Sequence, residues 1–339
     1  MQYSAKNTIS ISISFVHTAI SKVPLEPDVI DRLLYSSRIP RHLLQESHTR
    51  VSLTQYSKLI TALMIASDDE LLGHSNKPLP IGSLSLLTHW LVSANTMEQV
   101  INRLVRFYQI LGKGLDIKQH VEKELFHIEI GNMHHQQDSD TFIAEFSFFC
   151  IHRILCWLRK EIIPIDQLSF PFLEPSYARD YRPMFYGAPV SFDSSHIKMS
   201  FSRELLRKPI QQNLTSLQSF LKDPITELLI LNFNTENWAS KVGNEIRDKL
   251  DALPTLPDLA QIMKIKPYTL QRRLADEGTT YLAIKNQIKR DAAIEMLVQT
   301  NQSIEDISTK LGFAETSPFT RTFKQWTGVP PSAYRKYHI

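Results

Sequence analysis

The spacing of apolar positions changes period along the chain, and each period predicts an element. Near the start, Ile9, Ile11, Ile13 and Phe15 alternate with Ser10, Ser12 and Ser14, a period-2 pattern that predicts a strand edge rather than the unbroken apolar stretch of a signal peptide. Helical spacing then recurs in residues 29–36, 54–66, 83–94 and 96–111, the last with Thr96 placed as an N-cap and Gln99 in the capping-box position. Residues 115–121 and 125–130 alternate again and predict a hairpin closed around 122–124, with further strands at 167–170 and 197–201. Between those two strands lies a Pro- and Tyr-rich stretch with room for a short helix at 177–185. Residues 142–158 are apolar on every helical face yet hold Glu145, His152 and Arg153, which predicts a buried central helix rather than a membrane span. Helices followed by a small antiparallel sheet crossed by one apolar helix describe an α+β domain.

The last hundred residues lack strand-like alternation and contain an internal repeat. Leu259, Met263 and Ile265 align with Ile307, Leu311 and Phe313 at an offset of 48. Leu270, Arg272 and Leu274 align with Phe319, Arg321 and Phe323 at an offset of 49. Each copy reads as a short amphipathic helix, a tight turn and a second helix with an outer face free of the core, the pattern of a helix-turn-helix. Gly312 stands where the turn needs positive φ; Lys264 stands there in the first copy, at a cost of about 1 kcal/mol. The first recognition helix opens with Pro267 behind a poor N-cap, Lys266, and the second holds Pro318 in its first turn. Residues 281–299 are periodic, with Ile284, Ile288, Ala292 and Met296 or Leu297 on one side. As a helix they span about 28 Å, against the roughly 34 Å repeat of duplex DNA. Phe313, Phe319, Phe323 and Trp326 are expected in the core.

Composition adds boundaries. A chain of 339 residues, 42% hydrophobic and 22% charged, suits two globular domains: 1–222, a linker at 223–235, and 236–339, with helix-turn-helix units at about 257–276 and 303–327. The net charge of +3 divides unevenly. Residues 241–339 hold 15 Lys and Arg against 11 Asp and Glu, and the preceding residues hold 23 against 24. A net +4 is modest for a nucleic-acid module and predicts weak nonspecific binding. Cys150 and Cys156 fit neither a disulfide framework nor a zinc spacing, which indicates a reducing, cytoplasmic setting. His134 and His135 with Asp138 and Asp140 are read as a polar loop, and Asp68, Asp69 and Glu70 as the acidic first turn of a short helix. Phosphate loops, nucleophile–base pairs and zinc-protease motifs are missing, so neither catalysis, cofactor nor metal is expected.

The stretch from Ile304 to Arg335 carries an LGF turn (311–313), the pattern R-x-F-K-x-W-x-G (321–328) and a closing P-x-x-Y-R (331–335). It resembles the C-terminal signature of the AraC/XylS family of bacterial transcription regulators. Leu71-Leu72-Gly73 and Tyr186-Gly187-Ala188-Pro189-Val190 are similar to the "arabinose-binding" N-terminal domain of one branch of that family. The resemblance implies an α+β regulatory domain followed by an all-α domain with two helix-turn-helix units joined by a linker helix.

Matched position by position, the family pattern places Tyr268, Thr269, Gln271, Arg272 and Arg273 on the outer face of the first recognition helix. On the second it places Glu315, Thr316, Ser317, Thr320 and Arg321. Base contact is expected of Tyr268, Thr269, Gln271, Arg272, Thr316, Ser317, Thr320 and Arg321. Arg272 leads, because a guanidinium bonds both O6 and N7 of guanine. Phosphate contact is expected of Arg273, Lys324 and Lys336. An Arg on an exposed helix is usually only solvated, and Arg321 has Glu305 and Asp306 as alternative partners. Tyr334 and Arg335 read as structural. The expected partners are promoter DNA and a small-molecule effector, an organic acid, amino acid or fatty acid, with Trp90, Phe107, Tyr108, Phe142, Phe146 and Trp157 available to line an apolar pocket. A homodimer, a polymerase contact and a role as activator fit the same resemblance. The alternative is an N-terminal domain that only dimerises or touches polymerase, without a ligand.

Overall fold

The computed structural model describes residues 10–131, 141–231, 238–247 and 249–335. In chain order the first elements are β1 (Ser10–Ser12), α1 (Ser14–Ile20), α2 (Pro27–Ser36), β2 (Arg50–Ser52), α3 (Leu53–Ser67), α4 (Ser83–Val92) and α5 (Met97–Leu111). Next come β3 (Asp116–Glu122), β4 (Leu125–Gly131), α6 (Thr141–Arg159), β5 (Gln167–Ser169), α7 (Tyr181–Met184), β6 (Val190–Ser191) and β7 (Ile197–Ser202). The remainder is helical: α8 (Leu214–Phe220), α9 (Pro224–Ile230), α10 (Trp238–Arg247), α11 (Leu256–Ile262), α12 (Pro267–Asp276), α13 (Tyr281–Gln299), α14 (Ile304–Lys310), α15 (Thr316–Thr327) and α16 (Pro331–Arg335). The α+β then all-α succession is the fold class expected.

Two compact units result, and their limits differ from the expected division at 222–236. One holds Phe15–Leu33 and Ser57–Phe233; the other joins Asn234–Ile339 to Met1–Ser14 and Leu34–Tyr56.

The first unit is built on a five-stranded sheet of order β3-β4-β7-β5-β6. All neighbours are antiparallel except β5 and β6, a parallel pair of which β6 has only two residues, too short for a periodic signal. One face buries Ile117, Phe126, Ile128, Ile130, Met199, Phe201 and Leu168. Against it lies α6, whose His152 ring stands 6.3 Å from that of Phe201. Although α6 is long and apolar enough to cross a bilayer, 83% of its apolar window is buried in this unit, as a core helix requires. The predicted hairpin forms, with Lys123 at φ 53° in its turn. At α5 the Thr96 hydroxyl accepts from Gln99 N, but Gln99 Oε1 accepts from Asn95 N, one residue before the N-cap.

In two places the structure departs from the pattern of the sequence. The alternation at the N-terminus stops at Ser12, because the Ser12 hydroxyl accepts from Ser14 N and a helix begins, which places Phe15 on α1. Asp68, Asp69 and Glu70 open no helix. Asp68 is left-handed (φ 50°), and the buried Asp69 carboxylate accepts from the backbone N–H of Leu71, Gly73 and Leu79. Glu70 reaches forward to accept from Gly82 and Leu84 N–H at the start of α4. Short-range acid placement looks the same in sequence whether it serves its own helix or a loop and a later one.

Candidate nucleic-acid interface and effector cavity

The second unit contains both helix-turn-helix copies, and the repeat extends to their caps. Thr255 and Asp258 form a capping box at α11; Ser303 and Asp306 form the same box at α14. The turns also correspond, with Lys264 at φ 54° and Gly312 at φ 69°. Leu259, Leu270 and Leu274 are buried in the first copy, and Ile307, Phe319 and Phe323 in the second. Phe313 and Trp326 are only half-buried. Phe313 lies beneath the Lys289 ammonium, 4.9 Å from its ring centre, so these two aromatics rim the core rather than fill it.

Exposure is uneven along the two recognition helices. On α12, Tyr268 is 74% exposed, Gln271 and Arg272 are exposed, and Thr269 is half-buried. On α15, Ser317, Arg321 and Lys324 are exposed, Thr316 and Thr320 are half-buried, and Glu315 occupies the N-cap without a side-chain bond. Among the described residues neither Arg272 nor Arg321 has a carboxylate partner; Asp306 is engaged by its capping box instead. Arg273 is half-buried. Its guanidinium stacks on the Trp238 ring at 4.2 Å, and Trp238 is fixed there because Glu277 accepts from the first N–H groups of α10. Packing against the indole occupies the flat face of the guanidinium and leaves its N–H edge outward of the ring. Lys336 lies outside the described residues, as do His134, His135, Asp138 and Asp140.

The linker helix α13 has the predicted bounds, but it is buried on more than one side. Lys289, Asp291, Ala293, Ile294 and Val298 join the expected face in the interior. The additional cover is the β1–β2 ribbon and its flanks. Ser10 donates to Asp291, which also pairs with Arg290 at 3.2 Å. Arg50 donates to Ser10, the Thr49 hydroxyl to Thr327 O, and the fully buried Tyr334 hydroxyl to Arg50 O. Arg335 donates to Gln302 O. Tyr334 and Arg335 therefore have the structural roles expected of them.

In the sheet-bearing unit a cavity of about 500 Å³ opens between the loop at 74–77, the end of α5 and the open end of the β3–β4 hairpin. Lys22, Lys77, Lys113 and His74 line it, with Asp116 as its acid. Gly114 and Gly131 form part of the wall. A Cβ at Gly131 would lie 2.6 Å from Asp116 Oδ2, so a larger residue there would push the Asp116 carboxylate aside. Of the six aromatics expected to line a pocket, Tyr108 lines this cavity, and Phe107, Phe142 and Trp157 are core residues. Sequence reasoning missed the lysines because they come from three separate segments.

Comparison with known proteins matches residues 30–210 to the "Arabinose-binding domain of AraC transcription regulator, N-term" and residues 259–337 to a helix-turn-helix domain. The chain is 22% identical over 305 residues to the ornithine utilization regulator of Pseudomonas aeruginosa, covering 90% of each chain. It is 25% identical over 246 residues to the regulator VqsM of the same organism, covering 70% of this chain and 74% of that one. A solved structure, the transcriptional regulator CdpR of Pseudomonas aeruginosa, covers 99% of both chains at 18% identity with a TM-score of 0.33, a likeness too loose to bear on the fold. Residues 30–210 make up more than half of the chain, and with the paired helix-turn-helix behind them the chain belongs to the AraC family of DNA-binding transcription regulators, with an arabinose-binding-type N-terminal domain.

Proposed function

We propose that the chain is an effector-controlled regulator in the bacterial cytoplasm. A small carboxylate-bearing molecule occupies the lysine-lined cavity and changes how α12 and α15 engage an operator. The cavity carries this reading: three lysines and a histidine against one aspartate suit an anion, and 500 Å³ suits a small organic acid or amino acid. Base contacts are assigned to Tyr268, Thr269, Gln271, Arg272, Thr316, Ser317, Thr320 and Arg321, and phosphate contact to Arg273 and Lys324. A relative named for ornithine utilization makes amino acids the first arm of a ligand panel. Control requires that the effector bind two states with different affinity.

The test is a melting-temperature screen of the full chain against amino acids, short organic acids and fatty acids, followed by operator affinity with and without any hit. The reading predicts a carboxylate that raises the melting temperature in the wild type and does so at least tenfold less potently in Lys113→Ala. Silence across the panel would leave the sheet-bearing unit with dimerisation or polymerase contact as its task.

A further inference from the structure

We infer that the outer face of the β3–β4 hairpin is a divalent metal site of the zinc type, held by His120, Glu122 and His127. This lies apart from the effector cavity. His120 and His127 are register partners, four residue pairs from Asp116 and Gly131 at the cavity end, about 13 Å along the strands at ~3.3 Å per residue. Glu122 is two residues beyond His120 on the same face.

The donor atoms of the three side chains all lie within 4.8 Å of one another. A tetrahedral ion with bonds of about 2.0–2.2 Å needs its ligands about 3.3–3.6 Å apart. The contraction, up to about 1.5 Å, falls to His120 and Glu122, which are exposed. His127 is the fixed member. It is only 4% exposed, its Nδ1 lies 2.8 Å from the buried Ser200 hydroxyl, and its Nε2 is buried with no hydrogen-bond partner. A buried imidazole nitrogen without a partner is costly, and an ion supplies what is missing. With the proton on Nδ1 and donated to Ser200, Nε2 presents its lone pair, the second-shell arrangement that orients metal-bound histidines. Two imidazoles and one carboxylate form a donor set suited to Zn²⁺ with one position open.

The experiment is equilibrium dialysis of chelator-treated full-length chain against Zn²⁺, with bound metal quantified, beside melting curves with and without the ion. The wild type should bind one equivalent and melt higher with Zn²⁺. His120→Ala and Glu122→Gln change exposed residues and should keep the apo melting temperature while losing that equivalent. Ser200→Ala should weaken binding by about 10–100-fold. A joint His134→Ala and His135→Ala variant should bind as the wild type does. Failure of the wild type to bind, retention of the equivalent in His120→Ala, or its loss in the His134/His135 variant would each overturn the assignment. A Co²⁺-substituted sample showing thiolate-to-metal charge transfer would overturn it as well, by moving the ion to Cys150 or Cys156.

Discussion

Single side chains in this protein are set by what surrounds them more than by their own chemistry. Glu70 illustrates the point. Burial lifts its pKa to about 7, while the N–H groups of Leu84, Gly82 and Ser83 draw it down and Asp69 adds to the rise. Because the folded pKa lies above the unfolded value near 4.5, the folded state holds the extra proton. The stability Glu70 contributes is complete below about pH 4.5 and is lost as pH climbs to 7. Glu70→Gln should flatten that part of the melting-temperature profile, although it gives up one of two accepted hydrogen bonds at every pH; an unchanged slope would show that other groups produce it. Arg272 and Lys324 differ in a comparable way. Arg272→Ala should cost about 1–3 kcal/mol on a specific operator and little on random duplex, whereas Lys324→Ala should weaken both and lower the salt slope by about 1. Equal loss on both sequences for Arg272→Ala would make it a phosphate contact.

At the scale of elements, the two helix-turn-helix copies share a design but not its tolerance. A Cβ at Gly312 would stand 2.4 Å from the Asp251 carbonyl oxygen, in addition to the left-handed strain of about 1–2 kcal/mol. Gly312→Ala should therefore destabilise by more than about 2 kcal/mol in denaturant titration. Lys264→Gly relieves the matching strain and should gain about 0.5–1 kcal/mol. A neutral result at both positions would show that the turns do not hold these conformations under strain. These turns, the bounds of α13 and the hairpin were legible in sequence because cap, period and turn residue all act within a few positions. The second buried face of α13 was not, since Asp291 looks like any helix-surface acid until Ser10 is placed against it. Nor was the cavity, whose Lys22, Lys77 and Lys113 have no common period. His120 and His127 were invisible as a pair for a related reason: register across a hairpin, not spacing along it, brings them together.

For the molecule as a whole, the β1–β2 ribbon belongs with the helical unit, although more than two hundred residues separate it from its partners there. Elements that open together exchange their amides together. Asp291→Ala should therefore speed hydrogen exchange at residues 10–13 and 49–52 along with 281–299 in the full chain, while 116–130 keep wild-type rates. A parallel rise in the sheet would contradict the grouping. The same placement bears on how the protein is made. Ser10 and Asp291 are 281 positions apart. At about 5–20 residues per second, the ribosome delivers the second some 14–56 s after the first. The β1–β2 ribbon thus waits, its two strands paired but without its helical partners, through synthesis of nearly the entire sheet-bearing unit. The reading helices acquire their last wall only when the end of the message recovers its beginning, so a chain stalled before residue 291 has no finished module with which to hold DNA.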